Sequence, residues 1–563
     1  MKTIKSIIQI ALLCALTSCE GFLDTRIDTY TTADRVQTRY NTLWSFANAF
    51  YAPLQSGYTV LDNNLFAAAS DEAVQTSLES DVQYFNNGSI NSSVNPLSYL
   101  YDKYYEGIRA ALFFLDYAED GEMLLAQNRD TSGVTNMDNR ISYQKDVRSL
   151  KWYRAEAHVA LAYYYSELIK MYGGVPIITN TLDKEIAPGH IERSSYDQVV
   201  EHIVSLIDSQ IDSLQEDWAT HSDNVAARAG RFDKATAMAI KVRTLLYAAS
   251  PRNNPEGTVE KWERAARAAA DLLAFRNYSM PVNRNYGSYF VGANPLYDRE
   301  TIYAIRMSAG NALEKANYPI TTPGGNSGVT PTQNLVSSYE VVGSEDPVNP
   351  YNNRDPRLAA TIVYNGCRWN GRDIDLASKG TDDMSTQNAT RTGYYLRKFM
   401  TDNLNLQQDA TTQHMWVLYR HAELLLNYAE AMNEAYGPDA KPEGYALSAR
   451  EALTEVRNSA STSLPRVTAT DKEQLRKAIK HERRVELAFE DHRYWDLIRW
   501  LDAEDVLNST LEGVKISKTS TGTPVYRNTS VEDRTFLERN YYLPFAMSEV
   551  MNSDGTLTQN PGY

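Results

Sequence analysis

Tyr419-Arg420-His421-Ala422-Glu423-Leu424-Leu425-Leu426-Asn427-Tyr428-Ala429-Glu430-Ala431 runs on to Tyr436 and then meets Gly437-Pro438. Apolar residues spaced three and four apart, closed by a glycine and a proline, predict a helix over 419–436. The stretch Lys151–Tyr172 has the same shape. It opens near a Tyr-Arg pair, carries Trp152, Ala155, Val159, Ala162 and Tyr163 at helical spacing, and stops at Gly173-Gly174 with Pro176 beyond. Between these two, Tyr196–Leu214 places Val199, Val200, Ile203, Ile207, Ile211 and Leu214 on one face. Lys234–Ala249 and Glu260–Phe275 are rich in alanine, which lets helices approach closely.

Such internal similarity suggests stacked helix pairs of the tetratricopeptide kind, each burying its stripe against the next. The fold class expected is mainly α. A further helix is announced by Thr470 and Glu473, spaced as a capping box, with Leu475, Ala478, Ile479, Val485 and Phe489 as its buried stripe. Between Tyr278 and Thr412 the periodicity fades while Gly, Pro and Asn rise. Asn365-Gly366, between Thr361–Tyr364 and Cys367–Trp369, reads as a hairpin turn in this long irregular region. Irregular stretches of this length tend to carry function.

With 43% hydrophobic and 23% charged residues among 563, most of the chain is too apolar to be disordered. A net charge of −15 without any basic tract argues against nucleic acid as a partner. Tyrosine dominates the aromatic residues, 38 against 14 Phe and 8 Trp, which suits a ring-bearing surface or, alternatively, hydroxyl-tipped rings half-buried in helix seams.

Lys2 and Lys5 precede an apolar run from Ile7 to Leu16, too short to span a bilayer and of the right length for export. It ends Leu16-Thr17-Ser18-Cys19, which has the form of a bacterial lipobox, so cleavage before Cys19 and acylation of that cysteine are expected. Loss of residues 1–18 removes two lysines and no acid, leaving 54 basic against 71 acidic side chains, a charge of −17. Cys14 leaves with the signal and Cys19 would carry lipid. Cys367 then stands alone, and no intrachain disulfide is possible. No later run of 18 apolar residues follows, and residues 20–32 read as a polar tether.

Catalytic motifs are largely missing. There is no G-x-x-x-x-G-K, no G-x-S-x-G and no H-E-x-x-H, since His481-Glu482 is followed by Arg483, Arg484 and Val485. The 8 histidines never pair at four-residue spacing, so no metal site or cofactor is expected. Glu482, Glu486 and Glu490 share one helical face, a spacing able to present an acid and a base. Ion pairing is favoured instead, since Glu482 lies three residues from both Ile479 and Val485, inside the apolar stripe, where a buried carboxylate needs a cation; Arg483, Arg484 and Arg493 are the available candidates.

Taken together, several strings resemble the SusD/RagB family of outer-membrane nutrient-uptake lipoproteins of Bacteroidetes. They are Arg154-Ala155-Glu156-Ala157 through Tyr172–Pro176, Gly230-Arg231, Asp355-Pro356-Arg357, Arg420–Glu423 with Asn427–Ala431, Glu482-Arg483-Arg484 through Arg493–Leu497 to Arg499-Trp500, and the terminal Gln559–Tyr563. Leu543-Pro544-Phe545-Ala546 departs from the Pro-Ile-Pro usual there. The resemblance implies a SusD-like fold of tetratricopeptide-like pairs plus a long irregular region with short β-hairpins. Residues 1–18 would be the signal, 19–32 the lipidated tether, 33–275 an N-terminal helical half, and 276–563 a C-terminal half bearing ligand-facing loops. It further implies a surface lipoprotein of the outer membrane that binds glycan without catalysis and serves a SusC-like TonB-dependent transporter. Peptides or another nutrient are the alternative cargo. A sugar needs flat rings for its apolar face and polar side chains for its hydroxyls. On that chemistry Tyr84, Phe85, Asn86, Arg306, Tyr318 and Trp369, all in irregular stretches, are the candidate ligand residues.

Overall fold

The computed structural model describes residues 40–118, 137–181, 191–218 and 230–563. The expected signal, Cys19 and the tether lie outside the described residues. Ten helices carry the main layer: α1 Tyr40–Ala49, α2 Ser98–Ala118, α3 Met137–Tyr172, α4 Tyr196–Asp208, α5 Lys234–Ala249, α6 Val259–Phe275, α7 His421–Tyr436, α8 Ala449–Ala460, α9 Lys472–Glu486 and α10 Arg493–Trp500. From α1 to α8 each packs on the next in chain order, and α9 returns onto α7. The layer continues from α6 to α7 across the whole irregular region, as expected for stacked helix pairs. Among the described residues the strands form only two-stranded antiparallel pairs. None of the described helices is long and apolar enough to cross a membrane.

Several boundaries differ from the sequence expectation for identifiable reasons. Helix α7 starts at His421 because Met415–Arg420 is a strand, paired antiparallel with Thr301–Arg306. The run to Leu214 breaks after Asp208 into a single turn at Ile211–Ser213. The cap of α9 is Asp471 rather than Thr470: its carboxylate accepts from Gln474 N at 2.9 Å, while the Gln474 side chain accepts from Thr470 N at 3.1 Å. Phe489 lies beyond that helix with φ of 65°. The predicted hairpin is displaced. Asn365-Gly366 makes only a tight turn, with Cys367 N donating to Tyr364 O at 3.1 Å, whereas Arg368-Trp369 pairs with Arg372-Asp373 around Asn370-Gly371. That second Asn-Gly has φ of 51° and 74°, the left-handed pair that a two-residue hairpin turn requires.

The tyrosines are mostly structural. Tyr163, Tyr164 and Tyr165 are buried in succession on α3, so the expected ring-bearing surface is not what they build. Two of the hydroxyls find backbone carbonyls: Tyr164 donates to Phe50 O at 2.6 Å and Tyr165 to Ile178 O at 3.2 Å. The terminal Asn560 similarly donates to Tyr172 O at 3.0 Å and Leu543 O at 2.8 Å, which fastens the chain end to the close of α3. Phe545 stacks on Tyr172 with centroids 5.1 Å apart, so the altered turn at 543–546 still reaches this clasp.

At the centre sits a charged network. Glu486 is fully buried and accepts from Arg420 at 2.7 Å, from Arg357 at 2.8 Å and from Arg284. Arg357 also holds Glu482 at 2.5 Å, and Arg420 also holds Glu300 and Glu490 at 2.6 Å each. Ion pairing is therefore the fate of the three glutamates, but their partners come from distant segments. Of the expected ones, Arg483 pairs with Asp496, while Arg484 and Arg493 pair with Asp71. Burial alone would raise the Glu486 carboxyl, yet the three guanidiniums hold it well below the usual carboxylate range.

Replacing Glu486 by alanine leaves three buried guanidiniums short of a partner. Glu486→Ala should cost about 3–5 kcal/mol in denaturant unfolding, the range for breaking a buried pair from one side. Because the folded pKa is depressed, the wild-type contribution is complete at neutral pH and fades only in acid, below the ordinary glutamate value of about 4.3. The variant should accordingly lose less stability than wild type on acidification.

Candidate functional site

Residues 376–391 belong to the irregular region and pack beside a long hairpin, Leu511–Lys518 with Pro524–Glu532. Backbone bonds join the two: Ser378 N donates to Ile516 O at 2.9 Å, and Val514 N to Thr392 O at 2.8 Å. The contact is close enough to require glycine. A Cβ on Gly513 would stand 2.6 Å from Thr392 O, and one on Gly393, where φ is 81°, would stand 2.4 Å from Val514 O.

Between loop and hairpin lies an open groove of about 830 Å³. Its buried lining is mostly apolar, from Leu376, Ala389 and Ile516, with buried Thr390 beside them bonding its hydroxyl to that of Thr392 at 3.1 Å. Its exposed lining is polar: Ser378, Ser385, Thr386, Asn388, Lys515, Ser517, Arg527 and Ser530. An apolar floor beneath a rim of hydroxyls, an amide and cations matches a ligand with one C–H face and many hydroxyls. Among the described residues no group of three His, Cys, Asp or Glu could hold a metal ion.

The loop is pinned by Asp382, which is fully buried. Its carboxylate receives both guanidinium nitrogens of Arg372 at 2.6 Å, the amide of Asp375 at 3.0 Å and the hydroxyl of Thr321. Burial opposes this charge, but those hydrogen bonds, Arg372 foremost, keep the carboxyl below its ordinary pKa. Arg391, at the end of the loop, donates across to Glu532 of the hairpin at 2.8 Å and to Gln75 O at 3.2 Å. Two other sizeable hollows end at Thr181 and Ile191, and at Trp218 and Gly230, beside segments outside the described residues.

Comparison with known proteins agrees with this architecture. The model of the SusD family matches residues 295–563, and a second, described as starch-binding associating with outer membrane, matches residues 21–232. The chain belongs to the SusD family. Two SusD-like proteins of Formosa agariphila are each 26% identical, over 63% and 48% of this chain and 67% and 56% of their own lengths. A SusD-like protein of Bacteroides fragilis superposes with a TM-score of 0.75 at 23% identity, covering 94% of this chain and 98% of that one. A SusD-like carbohydrate binding protein of the same species gives 0.73 at 23%, over 92% and 98%. The surface glycan-binding protein A of Bacteroides uniformis gives 0.64 at 18%, over 93% and 99%.

In this SusD-family chain none of the residues singled out from sequence lines the groove. Trp369 and Tyr318 do meet, edge to face with centroids 6.0 Å apart, but both are buried. Tyr318 donates its hydroxyl to Thr401 O, and Arg397 lies 5.1 Å above the indole. The strand carrying Trp369 pairs with Arg372, so the indole sits under the Arg372–Asp382 anchor. Phe85 is buried against Phe66 at 4.9 Å, and buried Asn86 donates to Glu532 at 3.1 Å, beside Arg391. Tyr84, on the same short helix, is 38% exposed, and Arg306 is exposed at the end of its strand. A stacking platform of Tyr84, Trp369 and Tyr318 is therefore not presented to solvent: two of its three rings face other side chains.

The groove's own residues carry a different signal. Alternation of apolar and polar residues from Val514 to Lys518, then Gly522 and the β-formers Val525, Tyr526, Thr529 and Val531, marks a hairpin outside the irregular stretches that hold the candidate ligand residues.

Trp369→Ala should behave as a core deletion, lowering stability by about 3–5 kcal/mol in thermal or denaturant unfolding. Unchanged stability together with lost ligand affinity would place the indole against ligand instead.

Proposed function

We propose that the protein is a surface lipoprotein of the outer membrane that binds oligosaccharide or polysaccharide in the groove between residues 376–391 and the 511–532 hairpin, and hands it to a SusC-like TonB-dependent transporter. The observation that carries the reading is the groove itself, an apolar floor under a hydroxyl-rich rim on a SusD-family scaffold. The carbohydrate-binding relative and the surface glycan-binding protein of like fold support the choice of ligand, and the starch-binding, outer-membrane description of the matching N-terminal model supports the location. The lining supports binding rather than catalysis, since its one carboxylate, Asp383, is engaged by the amide of Ser385 at 2.9 Å and, among the described residues, no histidine stands beside its hydroxyls.

Acylation at Cys19 would anchor the chain, since lipid chains gain about 0.8 kcal/mol per buried CH₂ and two or more hold firmly. The helical layer leaves the loop region free for cargo, and a transporter interface of roughly 2,000 Å² is the size expected of a permanent complex.

Narrowing the groove should reduce glycan affinity without unfolding the protein. Ser517→Leu, on an exposed strand position of the rim, should weaken retardation in polysaccharide gels about tenfold, a change of about 1.4 kcal/mol, with Tm unchanged. Full retention of binding would move the site elsewhere. Peptide binding measured by calorimetry, with no retardation by any polysaccharide, would favour the alternative cargo.

For the anchor, Cys19→Ala should appear in the soluble fraction of cells while wild type sediments with the outer membrane. Mild detergent should co-extract wild type with a transporter from cells expressing both; recovery of the lipoprotein alone would count against the partnership.

A further inference from the structure

The hairpin bordering the groove contains a local conflict. In its register Lys515 lies directly opposite Arg527, and both side chains are exposed in the groove lining. Directly opposed residues of an antiparallel pair have Cβ atoms about 4.5–5.5 Å apart, and like charges there are destabilising. Neither side chain makes a hydrogen bond or ion pair with the described residues. Their neighbours are treated differently. Lys518 is paired with Asp375 at 2.7 Å, and Arg391 with Glu532 at 2.8 Å.

The surplus of positive charge is local. The whole chain carries 71 acidic against 56 basic residues, yet in the groove lining, with Arg391 neutralised by Glu532, Lys515 and Arg527 stand against the single carboxylate of Asp383. That carboxylate is turned to its own loop, accepting from the amides of Lys379 and Ser385, and it stays ionised because those bonds lower its pKa. A strand pair that sets two unpaired cations face to face above an apolar floor is poorly suited to a neutral ligand and well suited to an anion that bridges them. Guanidinium offers a planar fork to an oxyanion, and ammonium a point charge beside it.

We infer that the groove selects a negatively charged glycan, one bearing sulfate esters or uronate carboxylates, whose oxyanion bridges Lys515 and Arg527. The inference rests on the reading of this groove as a glycan site and names the class of glycan. The opposition of the two cations is relieved when the anion enters, so part of the selectivity is a repulsion that only the correct ligand removes.

The test compares polymers that share a backbone. Purified protein lacking residues 1–19 is run in affinity gels and titrated with dextran, dextran sulfate and carboxymethyl dextran, together with soluble starch and polygalacturonate. At least one charged polymer should bind, more weakly as salt rises, and Lys515→Ser with Arg527→Ser should reduce that affinity about tenfold or more. Dextran sulfate as the binder assigns sulfate esters; carboxymethyl dextran or polygalacturonate assigns carboxylates. The double variant should melt no lower than wild type, since it removes a repulsion. A control with Lys441→Ser and Lys477→Ser, exposed on other elements, should bind as wild type does. Equal binding of wild type and double variant, to charged or neutral polymers alike, overturns the inference while leaving the glycan reading intact. Absence of binding to every polysaccharide overturns both.

Discussion

Glu486 and the arginines around it are the constraint on which the rest of the fold depends. One carboxylate on α9 meets Arg284, Arg357 and Arg420, from three segments far apart in the chain, and Arg420 is the last residue of the strand that leads into α7. Removing several charges from water is expensive, and the cost is offset only when every donor finds an acceptor at good geometry. The network approaches that condition by extending outward through Glu300, Glu482, Glu490, Asp355, Lys398 and Arg457, although Nε of Arg284 stays buried without an acceptor. Any slip of α9 against α7 would strand several buried charges at once. The network therefore fixes register more than it adds stability, a role consistent with apolar replacements of buried ion pairs often being tolerated elsewhere.

The same logic recurs at smaller scale around the groove. Asp382 ties the loop to Arg372 and Thr321, while Glu532 ties the hairpin to Arg391, Arg534 and Asn86. Each wall is thus braced by a buried or half-buried carboxylate, and the glycines at 393 and 513 let the two walls meet backbone to backbone. The groove is a product of scaffolding beneath it. Lys515 and Arg527 stand out because Lys518 and Arg391 beside them are ion-paired.

Tyrosine use shows why composition misleads about surface. A phenol buries a large apolar ring and still satisfies one donor, so it can close a helix seam against a loop carbonyl, as Tyr105 does with Pro176 O at 2.7 Å and Tyr428 with Leu447 O at 2.5 Å. In this fold, loops crossing helix ends offer many such carbonyls. An abundance of hydroxylated rings then reflects interior stitching as much as ligand contact.

The sequence by itself determined the helical layer and the family. Helix α5 falls at its expected bounds because an Ala-rich run between Asp233 and Ser250 has local cause for both ends, and the Glu482–Trp500 motif carries the resemblance through a close run of charged and aromatic residues. It also favoured ion pairing for Glu482, Glu486 and Glu490 over catalysis, from the place of Glu482 in an apolar stripe. Only the tertiary structure decided with which partners, since Arg284, Arg357 and Arg420 are brought there by segments up to about two hundred residues away. The same holds for the candidate site. Whether Trp369 or Tyr318 faces water depends on which loop lies over it, and which Asn-Gly turns the hairpin depends on which strand pairing the surroundings complete. Helical periodicity is a local property and survives in sequence; burial of a loop side chain is a non-local one, set by contacts that no short window contains.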